Sequence, residues 1–133
     1  MGLIVSMGKK LVQTYRDLEV YQFAFNAAME IFEVTKMFPV EERFSLIDQI
    51  RRSSRSVCTN LGEGWRKRRY KAAFVGKLTD CQAEATETQI WLEFAVKCDY
   101  LDPTRGRVLY TRYNQILGQL VLMVKQSSNW IIE

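Results

Sequence analysis

The sequence predicts an all-α protein, a single antiparallel up-and-down four-helix bundle. Apolar and small residues recur in four separate segments with steps that alternate between three and four. Only two prolines and seven glycines interrupt 133 residues. The stretches between the segments are short, so consecutive helices must run antiparallel. A mean step of 3.5 keeps one face of each helix on its partner at a shallow crossing angle, which is bundle geometry.

Residues 1–14 are expected to form a flexible arm ahead of a bundle domain at 15–133. The opening MGLIVSMGKK has one short apolar run followed by lysines, the reverse of a secretory signal. No apolar run approaches the ~20 residues that span a bilayer. A cytoplasmic location away from membranes is the expectation.

The first helix carries Tyr21, Ala24, Ala28, Ile31 and Thr35 on its seam. Asp17 is placed to cap it and Pro39 to end it. The second carries Ile47, Ile50, Ser54, Val57 and Leu61. Ser45 with Asp48 resembles a capping box at its start, and Gly62 and Gly64 read as its C-terminal break. The third holds the pattern from Phe74 through Leu78, Cys81, Ala85, Thr88 and Leu92 to Ala95. The fourth opens at Asp102-Pro103, an N-cap followed by proline at the first helical position. Its seam is Leu109, Tyr113, Ile116, Leu120, Met123, Ser127 and Trp130. Small seam residues (Ala24, Ala28, Ser54, Ala85, Thr88) imply close helix approach. Phe25, Phe32, Trp65, Tyr70, Trp91, Phe94 and Tyr110 remain once the seams are filled. They exceed what one thin bundle hides, which predicts a homo-oligomer.

A catalytic reading finds little support. The chain has no histidine, the commonest general acid/base and metal ligand. It has no phosphate-binding loop, no dinucleotide fingerprint and no Glu-x-x-His pair for a di-iron bundle. Cys58, Cys81 and Cys98 are widely spaced with no Cys-x-x-Cys pair, so free buried thiols are expected, with neither a metal site nor a disulfide framework. The arginines near Cys58 would lower its pKa, whereas packing beside Val57 and Leu61 would leave it inert; the second is favoured. Glu63, between two glycines, reads as a cap or an arginine partner. No catalytic residue, metal or cofactor is assigned.

Charge is strongly polarised. Residues 51–77 hold nine cations against Glu63, a local charge of +8, and the rest of the chain sums to −4, which recovers the overall +4. Arg51, Arg52 and Arg55 share about one helical turn, and Arg66, Lys67, Arg68, Arg69 and Lys71 follow the glycines. Such a cluster suits phosphates, with affinity that falls steeply with salt. Trp65 and Tyr70 bracket the second group and are candidates to stack on unpaired bases. The predicted ligand is RNA or DNA bound with little sequence specificity. The alternative is an interface: the acidic surplus elsewhere, including Glu84, Glu87 and Glu93, supplies partners on another subunit or protein.

Several motifs in order carry a resemblance. They are Tyr15-Arg16-Asp17-Leu18-Glu19-Val20-Tyr21, then Phe38-Pro39 with Glu42-Arg43-Phe44, then Gln49-Ile50-Arg51-Arg52-Ser53. Asn60-Leu61-Gly62-Glu63-Gly64, Glu87-Thr88-Gln89 with Trp91-Leu92-Glu93, and Tyr100-Leu101 follow. Over about residues 15–130 the chain resembles the 23S ribosomal RNA intervening-sequence proteins, also called S23 ribosomal proteins. Ser53 and Gly62 stand where that family more often has alanine. The resemblance implies a homopentameric ring of four-helix bundles encoded in insertions within ribosomal RNA genes. More distantly, the chain resembles the accessory variability proteins of diversity-generating retroelements. That likeness implies a basic pentameric barrel that binds nucleic acid and a partner such as a reverse transcriptase.

Overall fold

The computed structural model describes residues 5–7 and 10–132. Four helices follow the predicted order: α1 (Glu19–Thr35), α2 (Leu46–Arg66), α3 (Lys71–Lys97) and α4 (Pro103–Lys125). Short 3₁₀ turns precede α1 (Tyr15–Asp17), precede α2 (Val40–Glu42) and follow α4 (Ser127–Asn129). Each helix packs on the next, and α1 closes on α4. Cross-helix bonds fix the antiparallel sense: Ser53 meets Thr88 at 2.8 Å while Lys77 reaches Asn60 at 3.3 Å. Glu19 likewise meets Gln119 while Glu30 meets Arg105.

The predicted seams form the core. Every seam residue of α3 and of α4 with its trailing turn is buried; on α1 and α2 only the first, Tyr21 and Ile47, is half-buried. The Ser53 and Thr88 hydroxyls satisfy each other inside the core, so this polar layer incurs no orphan penalty. Asp102 caps α4, its Oδ2 accepting from the Thr104 and Arg105 amides at 3.0 and 3.2 Å.

Other boundary expectations are corrected. The Asp17 carboxylate does not cap α1; it accepts from the Gln13 and Thr14 amides, both at 3.0 Å, and these bonds hold its pKa below the usual value. Ser45 occupies the N-cap of α2 without a side-chain bond. Glu42 takes that role, accepting from the Leu46 amide at 3.4 Å and from the Tyr100 hydroxyl at 2.9 Å. Gly62 and Gly64 do not break α2, which runs on to Arg66. A Cβ on Gly64 would lie 3.0 Å from the Lys77 Cβ, so this glycine brings α2 against α3. Within the expected arm, Val5–Met7 pairs antiparallel with Lys10–Val12 and Val12 is buried. The remainder of that arm's first ten residues, 1–4 and 8–9, lies outside the described residues.

Cys58 and Cys81 are buried, and burial pushes both thiols up to about 12; Asp80 and Cys58 add to the rise at Cys81. The packed, inert reading of Cys58 therefore holds. Cys98 is exposed, contrary to the expectation of three buried thiols, because it lies at the C-terminal cap of α3 beyond the last seam residue.

Candidate nucleic-acid interface

The cations of residues 51–71 do not form one continuous surface. The helix α2 and the turn at residues 67–70 divide them into three groups.

Along α2, Arg51 turns back toward α1. Its Nε donates to Thr35 Oγ1 at 2.9 Å, its Nη2 donates to the Phe32 carbonyl at 3.4 Å, and its guanidinium lies 4.7 Å from the Phe32 ring centroid. Arg55 lies over the same ring at 5.9 Å. Arg52 is exposed and sits 3.7 Å from Asp48, an i,i+4 pair of little energetic weight.

Trp65 and Arg68 belong to the interior, a correction to the predicted site. Trp65 is only 5% exposed and packs edge-on against Trp130, centroids 5.9 Å apart. Arg68 is 7% exposed, with its guanidinium 3.5 Å from the Trp65 ring centroid. Its Nε donates to the Trp65 carbonyl at 2.8 Å and its Nη1 to the Trp130 carbonyl at 3.5 Å. Burial, with Arg66 nearby, lowers its pKa, although a guanidinium remains charged. The Ile132 amide also donates to the Arg68 carbonyl at 3.2 Å, which ties the chain end to this turn. Neither side chain is free to meet a ligand. The sequence held a signal for this: extending the α2 seam beyond Leu61 by steps of three and four lands on Gly64 and Arg68, and both are buried.

The third group is the corner itself. Arg66, Lys67, Arg69 and Lys71 are all exposed around the turn, and Tyr70 beside them is 66% exposed. Among the described residues none of the four cations pairs with a carboxylate. Lys71 Nζ reaches only Ser128 Oγ, at 3.1 Å. The one acid nearby is engaged elsewhere: Glu63 pairs with Lys77 at 2.7 Å, which holds its carboxyl below the usual range. The corner thus concentrates exposed positive charge beside an available aromatic face.

Sequence reading did not separate a further feature. A largely apolar groove of about 680 Å³ runs between α1 and α2 over Tyr21, Phe25, Met29, Phe32, Cys58 and Gly62, and Arg55, Glu63 and Arg66 also line it. Among the described residues no group of His, Cys, Asp or Glu is arranged to hold a metal, and no helix is long and apolar enough to cross a membrane.

Fold and surface together define a helical bundle with one basic corner. The sequence pattern of the 23S rRNA-intervening sequence proteins matches residues 16–121, and the chain belongs to that family. It is also similar to a crystal structure of a protein of unknown function from the S23 ribosomal protein family of Bacteroides thetaiotaomicron. The two share 26% identity with a TM-score of 0.72, over 80% of this chain and 98% of that one. No curated protein matches the sequence.

Proposed function

We propose that the protein is a non-catalytic nucleic-acid-binding accessory scaffold, acting as a homopentamer whose α2–α3 corner holds RNA. The observation that carries this reading is the set of four exposed cations, Arg66, Lys67, Arg69 and Lys71, with no carboxylate partner among the described residues. Phosphates are the ligands such a set suits, and each one neutralised releases counterions. Tyr70 is the stacking residue; Trp65, packed on Trp130, is not. The family's description names an intervening sequence of 23S rRNA, and RNA is a polyanion of the chemistry this corner fits. Contacts of this kind fix a backbone and carry little sequence information.

Fluorescence anisotropy of a labelled single-stranded RNA tests the reading. Arg69→Glu weakens binding, and Tyr70→Ala weakens it by about tenfold, within the ~1–3 kcal/mol of one stacked base. Unchanged affinity in both variants at low salt would remove the corner as the binding surface.

A second reading, a protein-interaction scaffold, is favoured by the other half of the basic segment. Arg55 lines an apolar groove, and Arg51 is held against Phe32 and Thr35, so neither faces open solvent alone.

A further inference from the structure

Three cations converge on Phe32. Lys36 Nζ and the Arg51 guanidinium each lie 4.7 Å from its ring centroid, and the Arg55 guanidinium lies 5.9 Å away. Glu33 pairs with Lys36 at 3.2 Å, but among the described residues neither arginine has a carboxylate partner. From this cationic end the groove floor runs along α1 through Met29 and Phe25 to Tyr21. Phe25 and Met29 are nearly half exposed. Phe32 and Tyr21 are eleven residues apart on one helix, about 16 Å at 1.5 Å per residue.

Helix α3 carries the complementary pattern. Asp80, Glu84 and Glu87 follow one stripe at steps of four and three, and none pairs with a cation among the described residues. Partial burial, with repulsion from Glu87 and Asp80 added, raises the Glu84 pKa. The stripe then turns aromatic. Trp91 Nε1 donates to Glu87 Oε2 at 3.2 Å, and the Trp91 and Phe94 rings lie 5.8 Å apart, with Phe94 53% exposed. Glu84 and Phe94 are ten residues apart, about 15 Å along the helix. Acid-then-aromatic on α3 therefore matches, over a similar length, the run from Arg55 to the apolar Met29 and Phe25 in the groove, which Glu63 and Arg66 also line.

We infer that the α1/α2 groove is the seat for the Glu84–Phe94 face of α3 from a second copy of this chain. Its acids meet Arg51 and Arg55, and Trp91 and Phe94 cover Phe25 and Met29. The two surfaces are different, so the contact is head-to-tail and each copy keeps one groove and one stripe free for the next. They are also adjacent and not opposite. The stripe lies on the α2 side of α3, as the Lys77 bonds to Asn60 and Glu63 show, while the groove lies on the α1 side of α2. Successive copies then turn about an axis, giving a ring where the rotation closes and a helical filament where it does not. The inference rests on the oligomeric part of the proposed function, and it shares Arg66, which lines the groove, with the nucleic-acid part.

Light scattering on the full chain, without nucleic acid, tests it with Arg55→Glu, Glu84→Arg and the double swap. Arg55→Glu leaves acid facing acid, and Glu84→Arg leaves base facing base. Each single variant is expected to fall to the 15.6 kDa protomer while keeping its helical circular dichroism. The doubly swapped chain is expected to assemble again. Phe94→Ser provides a charge-neutral check and also dissociates. Wild-type assembly that survives both single swaps would overturn the seat while leaving an oligomer by another surface. A wild-type chain that stays a protomer would overturn both. Dissociation without rescue would mean that the swaps act through something other than this contact, and would also overturn the pairing. Should Arg55→Glu lower RNA affinity without changing the mass, the groove belongs to nucleic acid instead.

Discussion

The guanidinium of Arg68 lies over Trp65, 3.5 Å from the ring centroid, and donates to the carbonyl of the same residue at 2.8 Å. With Nη1 on the Trp130 carbonyl, it joins the end of α2 to the final turn of the chain. Its charge serves the fold, whereas that of its neighbour Arg69 faces solvent.

Arg68→Ala is therefore expected to destabilise the protein by about 2–3 kcal/mol, from charged hydrogen bonds and a buried cation–π contact. RNA affinity of the folded fraction is expected to stay unchanged. Arg69→Ala is expected to do the reverse. Urea denaturation and RNA titration of the two variants, side by side, check the division.

The Tyr113 hydroxyl is buried in the core with no hydrogen-bond partner among the described residues, and burial raises its pKa. An unmet buried hydroxyl costs stability that its removal restores. Tyr113→Phe is expected to be neutral to stabilising by about 1 kcal/mol, read as a higher urea midpoint at unchanged slope.

Gly106 on α4 faces α3 so closely that an added Cβ would lie 2.5 Å from Val96 Cγ2. Val96 is β-branched and half-buried, so it has little room to retreat. Gly106→Ala is expected to cost about 1–3 kcal/mol, despite alanine's better helix propensity. Gly118, with nothing within 4 Å of the same position, is the control, and Gly118→Ala is expected to stabilise.

The thiols give a pH signature. Cys98 is exposed and is expected to react rapidly with a disulfide reagent, while Cys58 and Cys81 wait for unfolding. Burial lifts the two inner thiols from 9.0 to about 12. Below pH 9 both folded and unfolded chains keep these protons. Between about 9 and 12 the unfolded chain ionises and the folded one does not, so their contribution to stability falls as pH rises. Replacing both by alanine is expected to flatten that alkaline loss, measured as urea midpoint against pH.

The helical seams were legible because a 3.5-residue repeat sustained for three heptads has few other interpretations, and Phe74 to Ala95 is the clearest case. The end of α2 was not. Glycine near a helix terminus signals either a stop or a close approach, and only the position of Lys77 against Gly64 decides between them. The same ambiguity hid the site. Four consecutive cations at 66–69 read as one surface, yet the helix ends at Arg66 and the turn points the third inward under Trp65. The leftover aromatics were visible as a surplus. Their sorting into a buried Trp65, a half-buried Phe32 and an exposed Phe94 depends on how neighbouring helices cover them.

The measurement that tests the central claim most directly is the salt dependence of single-stranded RNA binding to the wild-type protein and to a variant with Arg66, Lys67, Arg69 and Lys71 neutralised. Four phosphate contacts per corner predict a log–log slope of about −3 for the wild type, at roughly 0.7 per phosphate on a single strand, and a slope near zero for the variant. Equal slopes for the two proteins, or no binding by the wild type at low salt, would contradict the assignment of this corner to nucleic acid.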